Sequence, residues 1–179
     1  MVLSSWSDAL SSSSNEDLYS HIEIPVYGCF KDSRCKVIED DRVINVLDNV
    51  WAIGGDRGWY YANFLWMLRG ILDKLVGGVG LRRGRRSAKE INNGDALDFW
   101  RVLLADKPNK RLLLFAEMKL PGEAWLEFNL ERKSSKYLLN QIATYRPRGL
   151  WGRVYWYSVL PFHFFIFAGM LRNIVSYSD

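Results

Sequence analysis

Between Arg153 and Arg172 lie eighteen residues without a formal charge, VYWYSVLPFHFFIFAGML, and any fold of this chain must either cover them or give them to another phase. Eighteen is close to the lower limit for a helix that crosses a bilayer, and Trp and Tyr at one end with arginines at both fit an interfacial boundary. Three features favour a helix packed inside a protein. Pro161 removes a backbone donor near the middle of the run, and Ser158 and His163 put polar groups within it. The rest of the chain also carries a sheet that needs an apolar cover. A helix lying on or in a membrane over 154–171 stands as the alternative reading, and purely membrane-bound protein after detergent-free expression would decide for it.

The sheet is written in four runs of period two. ALDFWRVLLA sets Leu97, Phe99 and Arg101 against Asp98, Trp100 and Val102; RLLLFAEMKL sets Leu112, Leu114, Ala116 and Met118 against Leu113, Phe115, Glu117 and Lys119. AWLEFNLE sets Leu126, Phe128 and Leu130 against Trp125, Glu127 and Asn129, and YLLNQIATY sets Leu139, Gln141 and Ala143 against Leu138, Asn140 and Ile142. KPNK, PGE and KSSK supply turns between them, so four successive strands form an antiparallel meander. A one-sided meander does not stand alone, and a helix that is apolar nearly all round suits a curved sheet that wraps it. The fold class is therefore α+β, with a curved antiparallel sheet on a long C-terminal helix, in one domain over 31–179.

Upstream, 33–39 reads as a short strand, and Asp40-Asp41 places acids at the start of a helix over 42–53, with Val43, Leu47, Val50 and Trp51 along one side. Gly54-Gly55 ends it. A second helix begins after Gly58, where Phe64, Leu68, Ile71, Leu72 and Leu75 follow a three-four spacing, and Gly77-Gly78 stops it. The two make a small helical hairpin, and 79–85 reads as a further short strand. Residues 1–30 are Ser-rich, acidic and aperiodic, hence linker-like, although Trp6 implies that they dock on something.

Eight Trp, nine Tyr and nine Phe predict a ring-rich core, and rings also suit the wall of a pocket. Charge is uneven: Arg69 to Arg111 contains eleven Lys/Arg against five acids, and Arg82, Arg83, Arg85 and Arg86 form a candidate anion patch. These arginines sit in one short loop rather than along a groove, which ranks nucleic acid last among partners. Cys29 and Cys35, with only two His in the chain, make no zinc pattern and read as reduced thiols. The N-terminus has no basic region followed by an apolar core, which favours a cytoplasmic protein. No dinucleotide site is legible. The one near-match, Gly78-Val79-Gly80-Leu81-Arg82-Arg83-Gly84, has one residue too many and follows a helix instead of a strand. No cofactor of its own and no metal site are expected, nor is a Ser/His/Asp or Cys/His constellation visible.

The order strand, helical hairpin, meander and long C-terminal helix resembles the helix-grip fold of START-like proteins and polyketide cyclases, the SRPBCC superfamily. The segments IGGDRGWYYANFLWMLRGILDKLVGGVGLRRGRR, GDALDFWRV, AEMKLPGEAWLEF and YRPRGLWGRVYWYSVLPFHFFIF resemble more closely a bacterial family of unknown function. Its domain usually follows an NAD(P)-binding domain of the short-chain-dehydrogenase or NAD-dependent-epimerase type. The resemblance spans about 32–174 and implies an elongated apolar cavity between sheet and C-terminal helix. It also implies a partner domain of that dehydrogenase-like type, in cis or in trans.

Candidate cavity residues are Trp59, Tyr60 and Tyr61, with Asp56 and Arg57 in the same turn, and Asp98, Arg101, Glu117, Trp125, Glu127, Tyr145, Tyr157 and His163. His163, between two Phe, is a weak catalytic candidate, while Asp98 and Glu127 are expected in structural ion pairs with Arg82, Arg83 or Arg101. The leading reading is a module that binds an apolar, polyketide-, lipid- or isoprenoid-like molecule. The alternatives are a cofactor-independent cyclase or dehydratase using His163, and a membrane-associated accessory protein.

Overall fold

A computed structural model describes residues 24–54, 57–80, 87 and 90–178. The linker-like stretch with Trp6, Asp56 and the arginines 82, 83, 85 and 86 lie outside the described residues, apart from the last part of the linker. Six strands are present among those described: β1 Phe30–Ile38, β2 Ala96–Leu97, β3 Trp100–Asp106, β4 Arg111–Ala116, β5 Gly122–Lys133 and β6 Lys136–Pro147. Helix α1 is Val43–Trp51, entered through a 3-10 turn at Asp40–Arg42; α2 is Asn63–Leu75 and α3 is Gly149–Ser176.

The sheet is antiparallel, in the order β1-β6-β5-β4-β3-β2, so the meander is extended by the first strand pairing beside the last. Three of the four period-two runs keep the predicted faces. Leu112, Leu114, Leu126, Phe128, Leu130, Leu139 and Ala143 enter the main core beneath α3, together with Phe167, Met170, Leu171 and Ile174 of that helix. On the opposite face Leu103, Leu113, Phe115 and Trp125 form a second, smaller cluster with Ile24. This is the helix-grip fold.

The fourth run breaks. Asp98 takes φ 54° and folds ALDFW into a tight hairpin, pairing Leu97 with Trp100, so the expected single strand is a two-residue edge strand and a longer one. A register shift between Val102 and Leu104 then exchanges faces within β3. In the segment expected to add a strand over 79–85, Val79 and Gly80 are not in a strand, and 81–85 lie outside the described residues.

The second helix differs from its prediction in two ways. It starts at Asn63, because Tyr60 and Ala62 both take positive φ and hold 59–62 in a turn. Its buried face is Trp66, Gly70 and Asp73, whereas the expected apolar stripe of Phe64, Leu68, Ile71, Leu72 and Leu75 is exposed. Two anchors set that rotation. Trp66 stacks on Trp59 with centroids 4.8 Å apart, and the Asp73 carboxylate accepts the N–H groups of Gly80 at 2.9 Å and Lys119 at 2.7 Å.

The turn at 57–62 clamps the end of α3. Asn173 Nδ2 donates to the Tyr60 carbonyl, Asn49 Nδ2 donates to the carbonyls of Ile174 and Tyr177, and the Tyr61 ring lies against Gly169. Helix α3 is continuous through Pro161 and is held mainly by its last third; only 28% of its most apolar eighteen-residue window is buried. By length and composition alone it is the one described helix able to cross a membrane. Cys29 and Cys35 are both unpaired, separated by about 20 Å along an extended chain.

Candidate functional site

Where the sheet curves away from the first two-thirds of α3, α2 closes the gap and leaves a partly open cavity of about 290 Å³. Helix α2 gives Leu65, Trp66, Leu68, Arg69 and Leu72; the sheet gives Trp100, Ala124, Trp125, Ala143, Thr144 and Tyr145; α3 gives Tyr155, Trp156, Val159, Phe162, His163, Ile166 and Phe167. Met118 and Leu120, between β4 and β5, complete the wall. The small side chains of Ala124 and Ala143 lie on the inner face and make the room. Bulkier residues at those two positions would bring the sheet surface up to the helix.

Stacked rings build one wall. Trp156 lies parallel to Phe30 at 5.4 Å and to Tyr145 at 5.6 Å, and His163 meets Trp156 and Phe167 edge-on at 5.3 and 4.6 Å. Burial among these rings pushes the His163 imidazolium down to about 4, with Asp32 opposing and Arg34 and Arg69 assisting, so the ring is neutral at physiological pH. His163 Nδ1 and Trp100 Nε1 are buried and have no hydrogen-bond partner.

Tyr145 donates its hydroxyl to the Pro121 carbonyl at 2.9 Å, and burial beside Tyr155 pushes its pKa up to about 12. Burial likewise raises Tyr155. Arg69, whose guanidinium lies 5.5 Å from the centre of the Tyr155 ring, partly opposes both shifts, and Asp73 adds to that of Tyr155.

Of the residues singled out in the sequence, Trp125, Tyr145 and His163 border this cavity. Trp125 does so from the second cluster, its ring 5.6 Å from that of Phe115. The others serve elsewhere. Trp59 is a core ring whose Nε1 donates to Asp98 at 2.7 Å, and burial raises the Asp98 carboxyl despite that bond. Tyr60 donates its hydroxyl to the Asn49 carbonyl, Arg57 donates to Asn49 Oδ1, and Tyr61 wedges against α3. Arg101 pairs with Glu117, and Glu127 pairs with Arg111 at 2.7 Å, both on the outer side of the sheet. Of the pairings expected for Asp98 and Glu127, those with Arg101 are not made, because Arg101 turns with Glu117 to the face away from α3; Arg82 and Arg83 lie outside the described residues. Tyr157 is exposed, edge-on to Phe30.

Sequence reasoning missed Arg69, Trp66, Trp100, Thr144, Trp156 and Phe167. Arg69 had a visible signal, as the lone cation within NFLWMLRGIL. The others needed the packing. Among the described residues no group of three His, Cys, Asp or Glu side chains gathers to hold a metal ion.

Residues 29–170 match the family described as protein of unknown function (DUF2867). No curated protein matches the sequence. Among solved structures, ginseng major latex-like protein 151 from Panax ginseng is similar at 10% identity, covering 83% of this chain and 97% of that one with a TM-score of 0.47. A protein from Nitrosospira multiformis is similar at 9% identity, 82% and 94% coverage and a TM-score of 0.47. Norcoclaurine synthase from Thalictrum flavum gives 10% identity, 83% and 86% coverage and a TM-score of 0.41. These superpositions are loose, and the fold of this chain rests on its own strand order and grip helix.

Proposed function

The chain belongs to the DUF2867 family, and on that premise we propose that it is a binding module whose cavity takes up an apolar small molecule. The observation that carries this is the cavity itself, about 290 Å³ between α2, the sheet and α3, walled mostly by rings and aliphatic side chains with Arg69, Tyr145, Tyr155 and His163 as a few polar groups among them. Small-molecule sites have this make-up, an apolar wall that buries the ligand and a few polar groups that fix its orientation. At about 30 Å³ per water-sized unit, 290 Å³ with one side open takes a ligand of about ten to twelve heavy atoms. The reading assigns no cofactor to the chain.

Decan-1-ol is a suitable neutral probe, followed through the fluorescence of the cavity tryptophans, with native mass spectrometry of protein purified from its own cells as the companion measurement. Binding that is abolished by Ala143→Leu, with the fold retained, supports the proposal. No response to the probe and no small molecule in the mass spectrum would sink it.

The family resemblance supports a place beside an NAD(P)-binding, short-chain-dehydrogenase-like domain, to which this module presents or shields a substrate. The coding sequence upstream tests that directly: an in-frame dinucleotide-binding domain, or a separate one that co-purifies, is the expected result.

A second reading, contact with a lipid surface, has its own observation. Phe64, Leu68, Ile71 and Leu75 of α2 and Trp151, Val154, Phe162 and Phe165 of α3 are exposed, and the exposed Arg148, Arg153 and Arg172 flank the α3 face. Apolar side chains ringed by cations suit an anionic bilayer. Flotation with phosphatidylserine vesicles, lost at high salt, is the expected outcome; protein that stays at the bottom of the gradient excludes it.

A further inference from the structure

Arg69 is the one charged side chain among the described residues that line the cavity, and it forms no ion pair there. Its Nε donates to the Met118 sulfur at 3.3 Å, a weak acceptor, and its guanidinium lies 5.5 Å from the centre of the Tyr155 ring. A guanidinium offers five N–H donors, so four are left for another partner. The nearest acid along the helix, Asp73, is one turn away, but both its oxygens are taken by the N–H groups of Gly80 and Lys119. Half-buried beside the Tyr155 ring, Arg69 therefore brings a positive charge to a wall with no other charged side chain, while its nearest acid on the helix, Asp73, is held by backbone N–H groups and not by the guanidinium.

Resting on the binding reading above, we propose that the ligand is an apolar acid: a molecule of about a dozen heavy atoms whose single carboxylate engages the Arg69 guanidinium while its apolar body lies along Trp156 and Phe167. Arginine presents paired N–H groups that match a carboxylate, and such charge-assisted bonds are the strong ones. Burial keeps the Tyr145 and Tyr155 phenols protonated, so neither repels the anion; the Tyr155 hydroxyl can donate to it, while the Tyr145 hydrogen is held by the Pro121 carbonyl. The neutral His163 imidazole adds no competing charge.

Decanoate and decan-1-ol share a chain and differ in the head, so calorimetric titration of both at pH 7.5 separates the two proposals. Wild-type protein is expected to bind decanoate at least 10-fold more tightly than the alcohol. Arg69→Met is expected to weaken decanoate about 10- to 100-fold and the alcohol less than about 3-fold, the range typical for a hydrogen-bonded charge. Arg69→Lys, which keeps the charge, should recover part of the loss. If both ligands bind the wild type equally, or if Arg69→Met weakens both alike, the acid is overturned while the cavity reading survives. If neither binds, both fall.

Discussion

His163 provides the sharpest test of how the cavity wall is built. Its ring is wedged between Trp156 and Phe167, with Asp32 and Arg34 on β1 and Arg69 on α2 as the charges facing it. Burial lowers its pKa from 6.5 to about 4. In the unfolded chain the ring titrates near 6.5, so between those values the unfolded state holds a proton that the folded state does not. Stability from this site is therefore fully present above pH 6.5 and is lost as the pH falls through the folded value. A tenfold difference in proton affinity is worth about 1.36 kcal/mol, which makes the loss up to about 2.5 kcal/mol by pH 4.5. Carboxylates titrate in the same range, so the quantity to measure is a difference. Urea unfolding of wild type and His163→Phe at pH 7.5, 6.5, 5.5 and 4.5 is expected to show the variant gaining on the wild type by about that amount. Proton NMR of the imidazole should follow the same low titration, His21 and His163 being the two histidines of the chain. A stability gap that does not change with pH, or a His163 resonance titrating near 6.5, would refute the burial argument.

Three further outcomes follow from the packing. Gly169→Ala would drive a methyl group into the Tyr61 ring and is expected to cost about 1–3 kcal/mol in urea unfolding; a neutral result would show that the 57–62 turn does not clamp α3. Asp73→Ala strands the N–H groups of Gly80 and Lys119 and should cost about 2–4 kcal/mol, with amide exchange at those two residues accelerating first. Arg101→Met removes a part-buried, two-pronged pair with Glu117 and a bond to the Gly94 carbonyl, so it should cost about 1–3 kcal/mol in urea unfolding, yet it lies on the outer face and should leave decan-1-ol binding unchanged in the fluorescence titration.

Much of the sheet was legible because a strand has a period of two and each face meets one environment. Leu112, Leu126 and Leu139 could be assigned to one face from alternation alone, and the turns between their strands are short enough to force antiparallel neighbours. The same rule failed at Asp98, where a left-handed residue interrupts the pattern without changing its polarity alternation. It also failed to distinguish the two faces functionally. Glu117 and Glu127 looked like polar points of a cavity, yet they lie with arginines on the side away from the helix.

Helix α2 shows the opposite weakness of pattern reading. Its most apolar stripe runs through Phe64, Leu68, Ile71 and Leu75 and stays largely exposed, with Leu68 at the edge of the cavity. The face that packs carries Trp66, Gly70 and Asp73, chosen by a ring stack and by two backbone N–H groups that only the folded chain supplies. The rotation of that one helix decides that Arg69 borders the cavity.

By itself the sequence determined that a meander would need an apolar helix to cover it, because alternation and the eighteen uncharged residues are local properties of the chain. It could not determine how completely the cover fits. That was decided by tertiary contacts far apart in sequence: the clamp of Asn49, Tyr60 and Tyr61 on the last turns of α3, and small residues at 124 and 143 beneath its middle. A helix pinned at its end and unsupported along its middle leaves a space, and the space is the candidate site.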